Sequence, residues 1–430
     1  MILDKPDLLQ AIRSRFAHVD ACPFEGPRVF FENAGGALRL NSVIETSAKF
    51  AGYPDNQGRA NAASQALMEV IAKGKADMML FFNALDGVPF VGESGTEVLF
   101  RLIRTAALGA AEGGVFLGST LEHPASNSAM ARWAEVTGRP HIRVPHDDVT
   151  GTVSVDAYRE QITSDLRVAT IVHTSPVTGM AVDVPAIAAA IREVAPECFI
   201  IVDGIQHASH GAVDVSACQA DGYVVSPYKM FSRHGYGVGW ASDRLTDLTK
   251  EQIKDGPADN WEMGTRDAGA YATFSDVVDY LDWLGGQVSD VTDPRARLEA
   301  ATQAIALHER GLMQAVLSGT GNLPGLRDMP GVEFIGGDAL DGREGVVSLR
   351  LASKGSAELV EFLAERGIRV HIRKNDHYCG NILGPLGVED CIRVSISHYN
   401  SHAEVAQFLS AMAEATTGSR VRWSSWITGR

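Results

Sequence analysis

Short apolar runs alternate with longer amphipathic stretches through the middle of this chain. The runs at 115–117, 141–144, 169–172, 199–202, 223–226 and 237–240 are mostly rich in β-branched or aromatic residues and bounded by Gly or Pro. That pattern predicts buried strands. Stretches with helical apolar spacing separate several of them, near 126–137, within 147–162 and over 183–194. Strands alternating with helices of this length predict a mostly parallel sheet covered on both faces, an α/β fold. Upstream, the spacing predicts helices near the N-terminus, over 41–52 and 62–85, and from residue 98 onward. Downstream it predicts a helix over 268–285 and a long connector over 295–318. Beyond the connector come strands near 345–352, 368–373 and 391–397, with helices near 355–366 and 402–416, a small α+β arrangement.

A chain of 430 residues exceeds the size at which single cores stop growing, so two domains are expected. Hydrophobic residues make up 45% and charged residues 21%, the balance of a globular protein. No apolar run reaches the length of a bilayer, so no membrane association is expected. The first residues, MILDKPDLLQAIRSRF, lack the basic-then-apolar order of a secretory signal. A net charge of −15 disfavours nucleic acid, whose affinity rests on Lys and Arg neutralising phosphates. The five cysteines are scattered and form no CxxC pair, which argues against a disulfide framework or a zinc site and fits a reducing cytoplasm. The tail, TGSRVRWSSWITGR, is rich in Ser and Arg and carries two tryptophans.

Two strand ends carry chemistry. The run 199–202 leads into Asp203, and 223–226 leads to Lys229, 26 residues later. In open α/β sheets the ligand crevice lies beyond the carboxyl ends of the strands. An acid and an amine delivered there are what a pyridoxal phosphate enzyme requires: the lysine forms a Schiff base and the carboxylate keeps the pyridine nitrogen protonated. Either residue alone reads as an ordinary solvated charge. Ser94-Gly95-Thr96 opens a predicted helix, where backbone N–H groups suit a phosphate, although the same pattern serves as a plain N-cap. Glu32-Asn33-Ala34-Gly35-Gly36 reads as a turn, facing a ligand or purely structural.

VDGIQHASHGAVDV followed by ADGYVVSPYK resembles the class V aminotransferase family of fold-type I pyridoxal phosphate enzymes, in its cysteine desulfurase-like branch. The likeness runs from the Glu32–Gly36 turn to His398-Tyr399-Asn400. It implies a large cofactor-binding domain over 41–285 with a mostly parallel seven-stranded sheet, and a connector helix and small α+β domain over 286–430. Residues 1–40 would pack on the small domain. It implies Lys229 as the Schiff-base lysine and proton carrier, Asp203 as partner of the pyridine nitrogen and His123 as the imidazole stacked on the ring. Gln206 would contact the phenolic oxygen, with Ser94, Gly95, Thr96 and Ser226 as the phosphate cup and Tyr228 also at the cofactor. Thr265 matches a residue reaching the phosphate of a neighbouring subunit, which implies a homodimer with sites at the interface. Arg393 matches the grip on a substrate α-carboxylate, a planar anion suited to a guanidinium. Asn33 and Arg233 are further substrate-binding candidates.

The departures concern the reaction. Pro176 stands where desulfurases have asparagine, and proline has no donor to offer. Pro227-Tyr228 precedes the lysine, and Ser232-Arg233 replaces the usual Gly-Pro. Cys379, in Asp376-His377-Tyr378-Cys379-Gly380, resembles the persulfide-carrying cysteine of one desulfurase group. That role needs an electropositive, partly open setting, for which Arg373, Lys374 and His377 are candidates. The resemblance therefore implies a small L-amino acid as substrate, with cysteine desulfurase or C–S lyase chemistry, or alternatively transamination or epimerisation of another amino acid.

Overall fold

Seven strands form the central sheet of the computed structural model, which describes Ile2 and residues 5–417. They are β1 (Val88–Gly92), β2 (Val115–Ser119), β3 (His141–Val144), β4 (Leu166–Val172), β5 (Phe199–Asp203), β6 (Gly222–Val225) and β7 (Gly237–Ala241), in the order β1-β7-β6-β5-β4-β2-β3. Strands β2 to β6 run parallel. Strand β7 is antiparallel to both β6 and β1. The fold is thus α/β with a mostly parallel sheet of seven strands.

The apolar runs read as continuous because both faces of the sheet are covered. Along β5, Ile200 and Val202 enter one core while Phe199 and Ile201 enter another on the opposite face. Tyr223 and Val225 alternate with Val224 in the same way. The two-residue strand period therefore feeds two cores at once. Helix Ala62–Phe82 and helix Ala268–Val288 cover the first face, and helices Gly95–Gly109 and Pro124–Thr137 the second.

Helix Pro294–Ser318 leads to a four-stranded antiparallel sheet of Val332–Ile335, Val346–Leu351, Asp390–Ser395 and His371–Lys374, which has a core of its own. The N-terminal segment is tied to this region. Val29–Phe30 pairs in parallel with Ile368–Arg369, and Arg13 donates to the Tyr399 carbonyl at 2.6 Å.

Within the two larger sheets, two strands escape the sequence pattern, β1 and Val332–Ile335. Both lie at sheet edges, and β1 is interrupted by Pro89. The predicted strand 368–373 divides into Ile368–Arg369 and His371–Lys374, which pair with different neighbours. The tail beyond residue 417 lies outside the described residues.

Candidate active site

Strands β5 and β6 are neighbours, and their carboxyl ends bring the acid and the amine together. Asp203 closes β5, and Lys229 closes a short 3₁₀ turn, Pro227–Lys229, just after β6. Ser94, Gly95, Thr96, His123, Asp203, Gln206, Ser226, Tyr228 and Lys229 line one cavity with about 480 Å³ of empty space, completed by Val172, Thr174, Pro176 and Ile205. That mix of apolar walls with a few polar groups suits a small-molecule site.

The floor is built at a helix start. Ser94 caps helix Gly95–Gly109 by accepting the Glu97 N–H at 3.2 Å, which leaves other first-turn N–H groups without partners inside the helix. A Cβ added at Gly95 would lie 2.3 Å from Ser226 Oγ and 2.6 Å from Ile205 Cδ1. At Gly237, on β7, it would lie 2.3 Å from the Ser94 carbonyl carbon. Both glycines are required by close approach, and together they keep a concavity at the helix N-terminus.

Electrostatics set the protonation states. Burial is the main cause that lowers the Lys229 amine to about 7, with Arg393 assisting and Asp203 opposing. Its Nζ donates to Gln206 Oε1 at 3.2 Å. Burial pushes the Asp203 carboxyl up, against the Ile205 N–H at 3.1 Å and the charge of Lys229. His123 accepts the Ala125 N–H at Nδ1, 3.1 Å, so its proton belongs on Nε2. Burial, then the charges of Lys229 and Arg373, pull it down to about 3, so it is neutral at physiological pH.

Arg393, on strand Asp390–Ser395, lies just behind the lining: its Nη1 donates to the carbonyl of Pro176 at 2.9 Å. It is 2% exposed, its Nε has no partner, and no carboxylate of the described residues lies within salt-bridge distance. Glu32 acts on it only from beyond ion-pair distance, and a buried guanidinium with no direct ion pair suits an incoming anion. Burial first and Arg373 second lower it to about 10, so it stays charged at neutral pH.

The remaining candidates stand apart from the cavity wall. Asn33 donates to the Ser395 carbonyl at 2.8 Å and to Asn400 Oδ1 at 3.3 Å, while its Oδ1 accepts from Tyr399; its amide joins the N-terminal segment to the C-terminal sheet rather than facing a substrate. Arg233 is drawn away by an ion pair with Asp267, the N-cap of helix Ala268–Val288. Thr265 is exposed in an irregular loop and does not reach this chain's own cavity. Cys379 is fully buried, and its Sγ accepts from Arg373 Nε at 2.8 Å. Burial raises its pKa despite that arginine, so the cation the sequence suggested is present but the opening is not. Lys374 and His377 are exposed.

Sequence reasoning missed a polar chain behind the cavity. Gln206 Nε2 meets His210 Nε2 at 3.1 Å, and His210 Nδ1 meets Glu309 Oε2 at 2.6 Å. The spacing of Gln206 and His210, four residues apart, was visible; nothing local links His210 to Glu309, 99 residues away.

The profile of the family described as Aminotransferase class-V matches residues 29–274 and 298–408. This chain belongs to that family. Within it, the chain is 25% identical over 428 residues to Aminotransferase-like protein FGM3 of Gibberella zeae, covering 94% of this chain and 97% of that one. It is 24% identical over 408 residues to a cysteine desulfurase of Salmonella gallinarum, covering 90% and 93%. Its fold matches the apo cysteine desulfurase of Thermococcus onnurineus NA1 with a TM-score of 0.79 at 19% identity, over 91% of this chain and 95% of that one.

The residues of this class V member fit the pyridoxal phosphate that its family generally uses. The glycine-lined cradle suits a phosphate, the buried Asp203 carboxylate suits a protonated ring nitrogen, and an amine with a pKa near 7 suits covalent capture.

Proposed function

We propose that this chain is a pyridoxal phosphate-dependent enzyme that cleaves the C–S bond of a small L-cysteine-like amino acid. The observation that carries the reading is a Lys229 amine largely deprotonated just above neutrality, at the strand end beside a buried Asp203. Bound in this cavity, the cofactor supplies the electron sink that makes loss of a Cα proton accessible. Lys229 takes that proton and can return it, since its pKa lies near the working pH. Asp203 holds a proton on the ring nitrogen, and Ser94, Gly95, Thr96 and Ser226 hold the phosphate. Neutral His123 packs on the ring without adding a charge, and Arg393 orients the substrate through its α-carboxylate. In this reading residues 41–285 carry the cofactor, 286–430 carry Arg393, and 1–40 are laid on the latter. Two chains form a homodimer in which Thr265 of each serves the other's phosphate.

The burial of Cys379 under Arg373 favours elimination over sulfur transfer to the protein. L-cysteine and water then give pyruvate, ammonia and sulfide, whereas transfer to Cys379 gives alanine and a persulfide. Incubation with L-cysteine, with pyruvate, alanine and sulfide quantified, tests this. Pyruvate matching sulfide, unchanged in Cys379→Ala, is expected. Alanine as the product, lost in Cys379→Ala, would replace elimination by persulfide chemistry. No sulfide at all, with turnover of another amino acid or of a keto acid, would move the reading to transamination or epimerisation.

A further inference from the structure

Gln206 is the amide side chain of the cavity lining, and turning it over exchanges a donor for an acceptor without any change of charge. Its amide has a donor end and an acceptor end; one faces the cavity and the other meets His210. As arranged here, the Nε2 end lies 3.1 Å from His210 Nε2 and the Oε1 end accepts from Lys229 at 3.2 Å. An amide nitrogen only donates, so His210 Nε2 must accept. The other ring nitrogen, 2.6 Å from the Glu309 carboxylate, holds the single proton of a neutral imidazole.

A second proton on His210 would change this. Nε2 would become a donor, the amide would have to turn, and Gln206 would present N–H to the cavity. The surroundings are built for that proton. Gln206, His210 and Glu309 are 4%, 4% and 2% exposed, and Glu309 Oε1 has no partner. Burial opposes a charge on His210, but Glu309, and more distantly Glu344, outweigh it and hold the imidazole above its ordinary range. Lys229 opposes, but its own amine is largely neutral above pH 7. His398 also faces the ring and is itself held neutral by burial. His207 alongside is engaged by Glu344 at 2.6 Å.

We infer that His210, backed by Glu309, is a positioning residue that decides which end of the Gln206 amide faces the cofactor. The neutral ring offers the amide carbonyl to the free Lys229 amine; the imidazolium offers the amide N–H to the phenolic oxygen of the bound cofactor. Loading pyridoxal phosphate therefore brings a proton onto His210. This rests on the cofactor reading above and adds a proton-linked step to it.

The test is ¹⁵N NMR of histidine-labelled protein near pH 8, with the His210 signals assigned by their loss in His210→Gln. The expected result is one protonated ring nitrogen, Nδ1, before loading and two after it. In Glu309→Gln, which keeps the size and one acceptor, His210 should stay singly protonated after loading. The visible absorption band of that variant should titrate about one pH unit higher, because an anionic oxygen loses its donor. A wild-type protein that acquires the band while His210 keeps the same protonation state overturns the inference and leaves the cofactor reading standing. A protein that acquires no band with pyridoxal phosphate, or keeps it in Lys229→Ala, overturns the cofactor reading and this inference with it. The wild-type measurement stands even if Glu309→Gln does not fold.

Discussion

Single residues of this site are tuned by burial more than by charge. Lys229 is lowered to about 7 chiefly because its ammonium is stripped of water. Only the neutral amine attacks an aldehyde, so capture of pyridoxal phosphate by the apo-protein should quicken about tenfold per pH unit below 7 and level off above it. Stopped-flow growth of the visible band checks this; a rate still climbing at pH 9 would mean an ordinary solvated lysine. Glu122, just before His123, shows the opposite sign. Burial raises it to about 8, and although its Oε1 accepts the Val172 N–H at 2.9 Å, its Oε2 has no partner. The unfolded group titrates near 4.3, so the folded chain binds the extra proton between those values. The stability this one group contributes is therefore fully present below about pH 4.3 and is lost as pH rises to about 8, by an order of a few kcal/mol. Glu122→Gln, which needs no proton, should outlast the wild type in urea at pH 9 and show a much smaller advantage at pH 5. Neither behaviour could be read from residue order. Asp203 and Lys229 were legible as an acid and an amine just after strands, and Gln206 through the family resemblance, but Cys379 is buried in the large core and the partners of Asn33 and Arg233 come from segments distant in sequence.

At the scale of elements, the site depends on where strands stop and one helix begins. The central strands were legible because two covered faces impose long apolar runs. The edge strands β1 and Val332–Ile335 were not, and β1 is broken by proline. Yet β1 matters to the site: it leads into the Ser94 cap, and its partner β7 sets Gly237 against the Ser94 backbone. The cup at the start of helix Gly95–Gly109 exists because no Cβ fills it. Gly95→Ala would press a methyl group against Ser226 Oγ and Ile205 Cδ1, both within 2.6 Å of its ideal position. Affinity for pyridoxal phosphate should fall at least about tenfold, roughly 1.4 kcal/mol, with circular dichroism unchanged. Equilibrium dialysis that found wild-type affinity would place the phosphate elsewhere.

For the whole molecule, the loop bearing Met263, Gly264 and Thr265 is exposed and does not line this chain's cavity, although Arg266 beside it pairs with Glu93, next to the Ser94 cap. The loop thus starts near one site and leaves its threonine hydroxyl free of that site. A homodimer in which each Thr265 serves the partner's phosphate makes a sharp demand on mixed assemblies. Thr265→Ala protein keeps Lys229 but lacks the hydroxyl its partner needs, and Lys229→Ala protein has the reverse defect. Neither alone should retain the cofactor through dialysis as the wild type does. Unfolding the two together and refolding them produces mixed dimers, in which the subunit that keeps Lys229 receives Thr265 from the other. One complete site per mixed dimer should return, seen as a visible band that survives dialysis at a sedimentation coefficient matching two chains. If each chain instead supplied its own threonine, every site in the mixture would still lack one of the two residues, and no band would survive dialysis.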